Sequence, residues 1–220
     1  MTACRIALLI TFALCAAMPA SAAKQPAAND VEVTEWNFAV YLGESRVGYH
    51  RFRLERDDDR RRLFSEADFE VKLLFLTLYR YRHENTEAWN GECLERIESR
   101  TNANGKQFSV LGSQGSDAFE VKATGLYDKV PGCVKTFAYW NPDFLRDSAL
   151  LNPQTGEVLP VVFEPLDAVP IEVRGHEVEA RRYRLRADGM DLELWYSQDD
   201  EWLGLRSTTE DGRTIQYRLT

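Results

Sequence analysis

Few residues in this chain are of a type that does chemistry. Its 220 residues hold three histidines, His50, His83 and His176. His83 stands in Tyr79-Arg80-Tyr81-Arg82-His83-Glu84, and at period-two spacing it shares a strand face with Tyr79, Tyr81, Asn85, Glu87 and Trp89. An aromatic face carrying several hydrogen-bonding groups is how a ligand pocket is lined. Ordinary barrel packing is the competing use of such rings. His50 falls on an apolar face, the usual setting of a hydrogen-bonded core histidine, and His176 follows Gly175 in an expected surface turn. Asp199-Asp200-Glu201 gathers three carboxylates at a hairpin tip, which lacks the enclosure that separates the proton affinities of a catalytic pair. Asp57-Asp58-Asp59 lacks the spaced oxygen ligands of a calcium loop. No nucleophile elbow, P-loop, dinucleotide-binding glycine motif or H-E-x-x-H zinc helix occurs. The residues name no catalytic group, no metal and no cofactor. Binding is the chemistry they offer.

The four cysteines are read through the compartment. Arg5 supplies a positive start, Ile6 to Met18 is an uncharged apolar stretch, and Ala20-Ser21-Ala22 gives the small-x-small pattern of signal cleavage. Residues 1–22 are therefore expected to be a signal peptide, cut after Ala22 or at the neighbouring Ala23. The apolar run is shorter than the roughly 20 residues that a spanning helix needs, so no transmembrane segment is expected after cleavage. Cys4 and Cys15 leave with the signal, and Cys93 and Cys133 remain. In an oxidising compartment two such cysteines are expected to form a disulfide, worth about 4 kcal/mol for a loop of this length on the chain-entropy model.

The elements that must position these residues are strands. With 44% apolar and 11% aromatic residues and a mean hydropathy of −0.41, the chain has globular composition. A net charge of −8 and a pI near 5.1 argue against a nucleic-acid partner, which needs clustered positive charge. A polar linker covers residues 23–34, and residues 35–220 read as a single β-barrel-like domain. Trp36, Phe38, Val40 and Leu42 alternate with polar residues, as do Gly48, His50, Phe52 and Leu54, and then Leu63, Ser65, Ala67, Phe69 and Val71. Asn90-Gly91, Asn104-Gly105, Asp188-Gly189 and Asp211-Gly212 are dipeptides suited to type I′ hairpins. Arg182, Arg184 and Arg186 point outward, where acids on neighbouring strands would meet them. One stretch breaks the rhythm: Asn141-Pro142-Asp143 reads as the cap and first turn of a short helix, ended by Asn152-Pro153. The expectation is all-β: one antiparallel, strongly curved sheet or open β-barrel of about ten or eleven strands with one short helix. A two-sheet sandwich is the alternative.

Leu73-Leu74-Phe75-Leu76-Thr77-Leu78 loses alternation, so both faces are apolar. A strand buried on both sides, a loop under a lid, or a rim meant for a lipid or protein would each read this way. The expected site places Phe137, Trp140 and Phe144 as a lid tethered by Cys93–Cys133. It closes over walls made by Leu74, Phe75, Leu76 and the strand carrying Tyr79, Tyr81, His83 and Trp89.

Val47-Gly48-Tyr49-His50, Val71 to Phe75 leading into Tyr79-Arg80-Tyr81, Glu87-Ala88-Trp89 and Thr136-Phe137-Ala138-Tyr139-Trp140-Asn141-Pro142 together resemble a family of exported Gram-negative bacterial proteins known only as a domain of unknown function. The ending Leu194-Trp195-Tyr196 through Asp211-Gly212-Arg213 to Tyr217-Arg218-Leu219 fits the same family. The resemblance implies a periplasmic address and an open, curved barrel similar to carriers of lipids or lipoproteins. It carries over no functional residue. Two functions follow as expectations: a non-enzymatic periplasmic protein holding an apolar or lipid-like ligand, or an envelope scaffold with a packed interior that binds another protein.

Overall fold

The computed structural model describes residues 31–73, 76–208 and 212–220. The expected signal peptide, Leu74, Phe75 and Asp211 lie outside the described residues. The chain runs through β1 (Glu32–Leu42), β2 (Ser45–Asp57), β3 (Arg60–Leu73), β4 (Leu76–Asn90), β5 (Cys93–Ala103), β6 (Lys106–Gln114), β7 (Ala118–Ala123) and β8 (Leu126–Pro131). A short 3-10 helix follows at Pro142–Arg146, then the small hairpin β9 (Ala149–Leu151) and β10 (Val158–Pro160). The chain closes with β11 (Val162–Val173), β12 (His176–Ala187), β13 (Met190–Tyr196), β14 (Trp202–Thr208) and β15 (Thr214–Leu219).

Thirteen strands form one antiparallel sheet, in the order β11-β12-β13-β14-β15-β1-β2-β3-β4-β5-β6-β7-β8. Two meanders are thus stitched together where β15 pairs with β1, for example Val40 opposite Tyr217. The count exceeds the expected ten or eleven. The excess comes from the short strands β7 and β8, whose alternation is too brief to register in the sequence; β9 and β10 pair with each other outside this sheet. β1 also begins at Glu32, inside the stretch read as linker. The sheet does not close: β8 and β11 are its edges. Pro131 in β8 and Pro165 and Pro170 in β11 have no N–H to give, which suits a strand with an unpaired side.

The turns differ from the expected pattern in an instructive way. Among the three expected turns whose two residues are both described, Asn104-Gly105, with φ of 54° and 91°, is the one that shows the paired positive φ expected of Asn-Gly and Asp-Gly. Arg174-Gly175 adopts the same pairing with a residue that gives no sequence signal for it. At Asn90-Gly91 the ladder reaches Asn90 opposite Cys93, so Gly91 and Glu92 are the turn residues instead. The helix starts where its signal places it but is a single 3-10 turn, Pro142–Arg146, and β9 follows at Ala149–Leu151 before the expected stop at Asn152-Pro153. Asn141 caps it by accepting a hydrogen bond from the Asp143 amide, with Pro142 in the first turn.

Alternation in sequence becomes alternation in burial. Leu63, Ser65 and Ala67 are buried while Phe64 and Glu66 are exposed. On the outside, Glu193 gathers Arg184 at 3.2 Å and Arg206 at 2.7 Å, and Arg186 meets Glu164 at 3.2 Å. The inner face curls around the segment 132–161, which crosses the interior and buries Phe137, Trp140, Phe144, Leu150 and Leu151. Rings of this size contribute about 2–3 kcal/mol each by leaving water. The segment is tied to β5 near its start, where the Leu94 amide donates to Val134 O at 2.9 Å, and is folded onto itself, where the Leu151 amide donates to Lys135 O at 2.8 Å. Cys93 and Cys133 are bonded, with Cα atoms 5.0 Å apart. Further along, Gly156 lies so close to Ala123 that a Cβ would come within 2.6 Å.

Candidate ligand cavity

Curling brings the inner faces of β2–β4 opposite those of β13–β15, and the segment 132–161 fills only part of the space between them. A cavity of about 280 Å³ remains. Its β2–β4 wall is polar and aromatic. His50 and His83 sit in register on either side of Ala67, whose small side chain lets the two rings approach to 6.5 Å between centroids. His50 Nε2 bonds Ser65 Oγ at 2.8 Å, and its Nδ1 lies 3.3 Å from the Tyr217 hydroxyl. His83 Nδ1 bonds Thr101 Oγ1 at 2.8 Å, which leaves Nε2 as the ring atom for the cavity. Burial lowers the pKa of both histidines, His83 to about 4 and His50 well below its usual value, with the neighbouring His83 adding to the effect on His50. Tyr81 stacks on Phe69 with centroids 4.6 Å apart and donates to Gln154 Oε1 at 3.0 Å.

The opposite wall is largely apolar, built from Met190, Leu192, Leu205 and Ile215, with Ser207 among them. Phe137, Tyr139 and Trp140 of the inserted segment close one side. Glu87 borders the cavity, but its carboxylate is committed to the fold. Oε1 accepts from Asn85 at 2.9 Å, and Oε2 accepts from Trp89 Nε1 at 2.9 Å and from Thr136 at 3.2 Å. Burial raises its pKa, and these three donors work against that rise.

Among the residues expected at the site, Tyr81, His83, Phe137 and Trp140 meet at the cavity. Trp89 stands behind it, packed edge-on against Trp140 at 5.6 Å. Phe144 lies deeper, against Phe163 and Tyr139. Tyr79 is exposed, and so is Leu78, so the stretch is not buried on both sides at that end. The side chain of Leu76, like Leu74 and Phe75, lies outside what is described. His50, Tyr217 and the leucines of β13 and β14 are additions that the sequence did not point to. The available signal was His50 and Phe52 sharing a face, but only the β2–β3–β4 register places His50 beside His83. Among the described residues, no group of three or more histidines, cysteines or carboxylates is placed to hold a metal ion.

Residues 38–220 match the family model of a domain of unknown function, DUF6134, and the chain belongs to that family. No curated protein matches it. A crystal structure of a beta-barrel-like protein of another domain of unknown function, DUF1849, from Brucella abortus is similar to it in fold. The TM-score is 0.60 at 11% identity, over 86% of this chain and 96% of that one. At that identity the likeness shows the fold, and the interior must be read from this chain's own residues.

Proposed function

We propose that the protein is a non-enzymatic binder of a small apolar or amphipathic molecule, working in the periplasm after cleavage of a signal peptide. The observation that carries this reading is the cavity between the two walls of the curled sheet. Its roughly 280 Å³ lies at the low end of ligand-pocket sizes, about 300–1,000 Å³, so a single alkyl chain or a ring system suits it better than a two-chain lipid. The scaffold reading draws on the other half of the interior, where Trp89, Trp140, Phe144 and Phe163 pack ring against ring. A scaffold has no use for a second half left open and faced with imidazoles and hydroxyls. Native mass spectrometry of protein purified from its own periplasm, paired with titration of an apolar fluorescent dye, tests the choice. Binding predicts a copurified small molecule or saturable dye uptake. No retained molecule and no uptake would leave the scaffold.

A further inference from the structure

The ligand's polar end is specified by what the cavity wall lacks. Among the described residues that line it there is no lysine, arginine or aspartate. The one carboxylate, Glu87, is 1% exposed and already accepts three hydrogen bonds. An anionic head would enter with no cation to meet it, and a cationic head would find the sole acid sealed. Either would lose its hydration without a partner, which is the costliest kind of burial. The wall is not simply greasy, however. Imidazoles and hydroxyls each give and take hydrogen bonds. His50, Ser65, Tyr81 and His83 of β2–β4, with the Tyr217 hydroxyl reaching His50 from β15, therefore make a surface matched to a group that does both. Opposite them stand Met190, Leu192, Leu205 and Ile215.

Resting on the binding reading above, we propose that the ligand is an uncharged amphiphile with a hydroxyl-type head, held with that head against β2–β4 and its apolar body against β13–β15. His83 is the residue best placed to receive the head, because Thr101 occupies only its Nδ1.

Three probes of equal chain length separate the possibilities: decanol, decanoate and decylamine, titrated into the wild-type protein near neutral pH below their aggregation concentrations. Decanol is expected to bind about tenfold or more tightly than either charged partner, since each must shed a charge's hydration on entry. His83→Phe should bring decanol down toward the affinity of plain decane while leaving decane itself bound. Tyr217→Phe serves as a second, gentler variant should His83→Phe fail to fold. Equal or tighter binding of decanoate or decylamine overturns the neutral-ligand proposal while the binding reading stands. Failure of all three and of decane overturns the binding reading itself.

Discussion

On the inner face of β4, Glu87 and His83 stand four residues apart, each buried, in surroundings of opposite kind. Glu87 lies where the segment 132–161 presses onto the sheet. Both of its oxygens are used, by Asn85 and Trp89 of its own strand and by Thr136 of the segment. His83 lies where the segment leaves the cavity unfilled, with one ring nitrogen engaged and its ring near those of Tyr81 and His50. The first environment is a polar group paid for in full by the fold. The second keeps hydrogen-bonding capacity in reserve beside empty space. One strand face thus serves as a clamp at one end and as a receptive wall at the other.

The sharpest way to break this contrast is at the clamp. Glu87→Ala leaves the Asn85, Trp89 and Thr136 donors without their acceptor and opens a void beside Trp89. A loss of about 3–5 kcal/mol in urea denaturation is expected. Glu87→Gln keeps an acceptor for Trp89 and Thr136 and should cost far less. If the two substitutions are equally harmful, the carboxylate's charge matters more than its hydrogen bonds, and Glu87 is not a hydrogen-bonded clamp.

Next comes the disulfide that holds the segment's entry. Replacing Cys93 and Cys133 together by Ser should cost about 2–4 kcal/mol. The loss should show as faster hydrogen exchange at the Leu94 and Leu151 amides, which bond Val134 and Lys135. Exchange that rises uniformly over the whole sheet would mean that the bond does not act on the segment in particular.

The clamp and the wall were unequally legible in the sequence. The strand faces, the helix cap at Asn141 and the pairing of Cys93 with Cys133 each depend on local pattern or on simple elimination, and local pattern is what a sequence displays. Tyr81, His83, Phe137 and Trp140 came forward because aromatic and polar residues recur within short stretches. His50 and Tyr217 did not, since their meeting depends on β15 pairing with β1 across nearly the whole chain. The apolar wall was read only as a meander's inner face, because nothing in Leu192 or Leu205 distinguishes a residue facing a void from one facing a neighbour. Which two strands would be left as open edges was equally hidden, although Pro131 stands in one of them and Pro165 and Pro170 in the other.

Acid distinguishes the two ends by sign. His83 has a pKa near 4 in the fold against about 6.5 in the unfolded chain, so the unfolded state binds more protons between those values. Its contribution is fully present above about pH 6.5 and is lost as pH falls toward 4, a change on the order of 3 kcal/mol. His50 acts in the same direction. Glu87 acts oppositely: its raised pKa means that the folded state takes up protons first, so stability from that group grows as pH falls toward its ordinary value. Denaturation midpoints measured from neutral pH to pH 4 should therefore fall in the wild type, fall further in Glu87→Gln, and flatten in His83→Gln. A His83→Gln profile parallel to the wild type would show that the imidazole is not held neutral by its burial.

The smallest effect on stability is expected at the open wall. Tyr217→Phe removes one hydroxyl whose bond to His50 is 3.3 Å long, the weakest side-chain contact of the two histidines, while His50 keeps its 2.8 Å bond to Ser65. The ring itself, which lies 6.0 Å from Phe38 and 5.6 Å from His50 between centroids, stays in place. A change of about 1 kcal/mol follows, the net worth of an ordinary hydrogen bond, with His50 Nδ1 losing the one side-chain partner it has. Removing the same hydroxyl takes away a group that can give or take a hydrogen bond at the cavity surface, so affinity for decanol should fall while stability hardly moves. At Glu87 the order is reversed: stability falls first, and binding fails only as the fold is lost. If Tyr217→Phe destabilises the protein as much as Glu87→Ala, the open wall is structural after all, and the contrast between the two ends of β4 disappears.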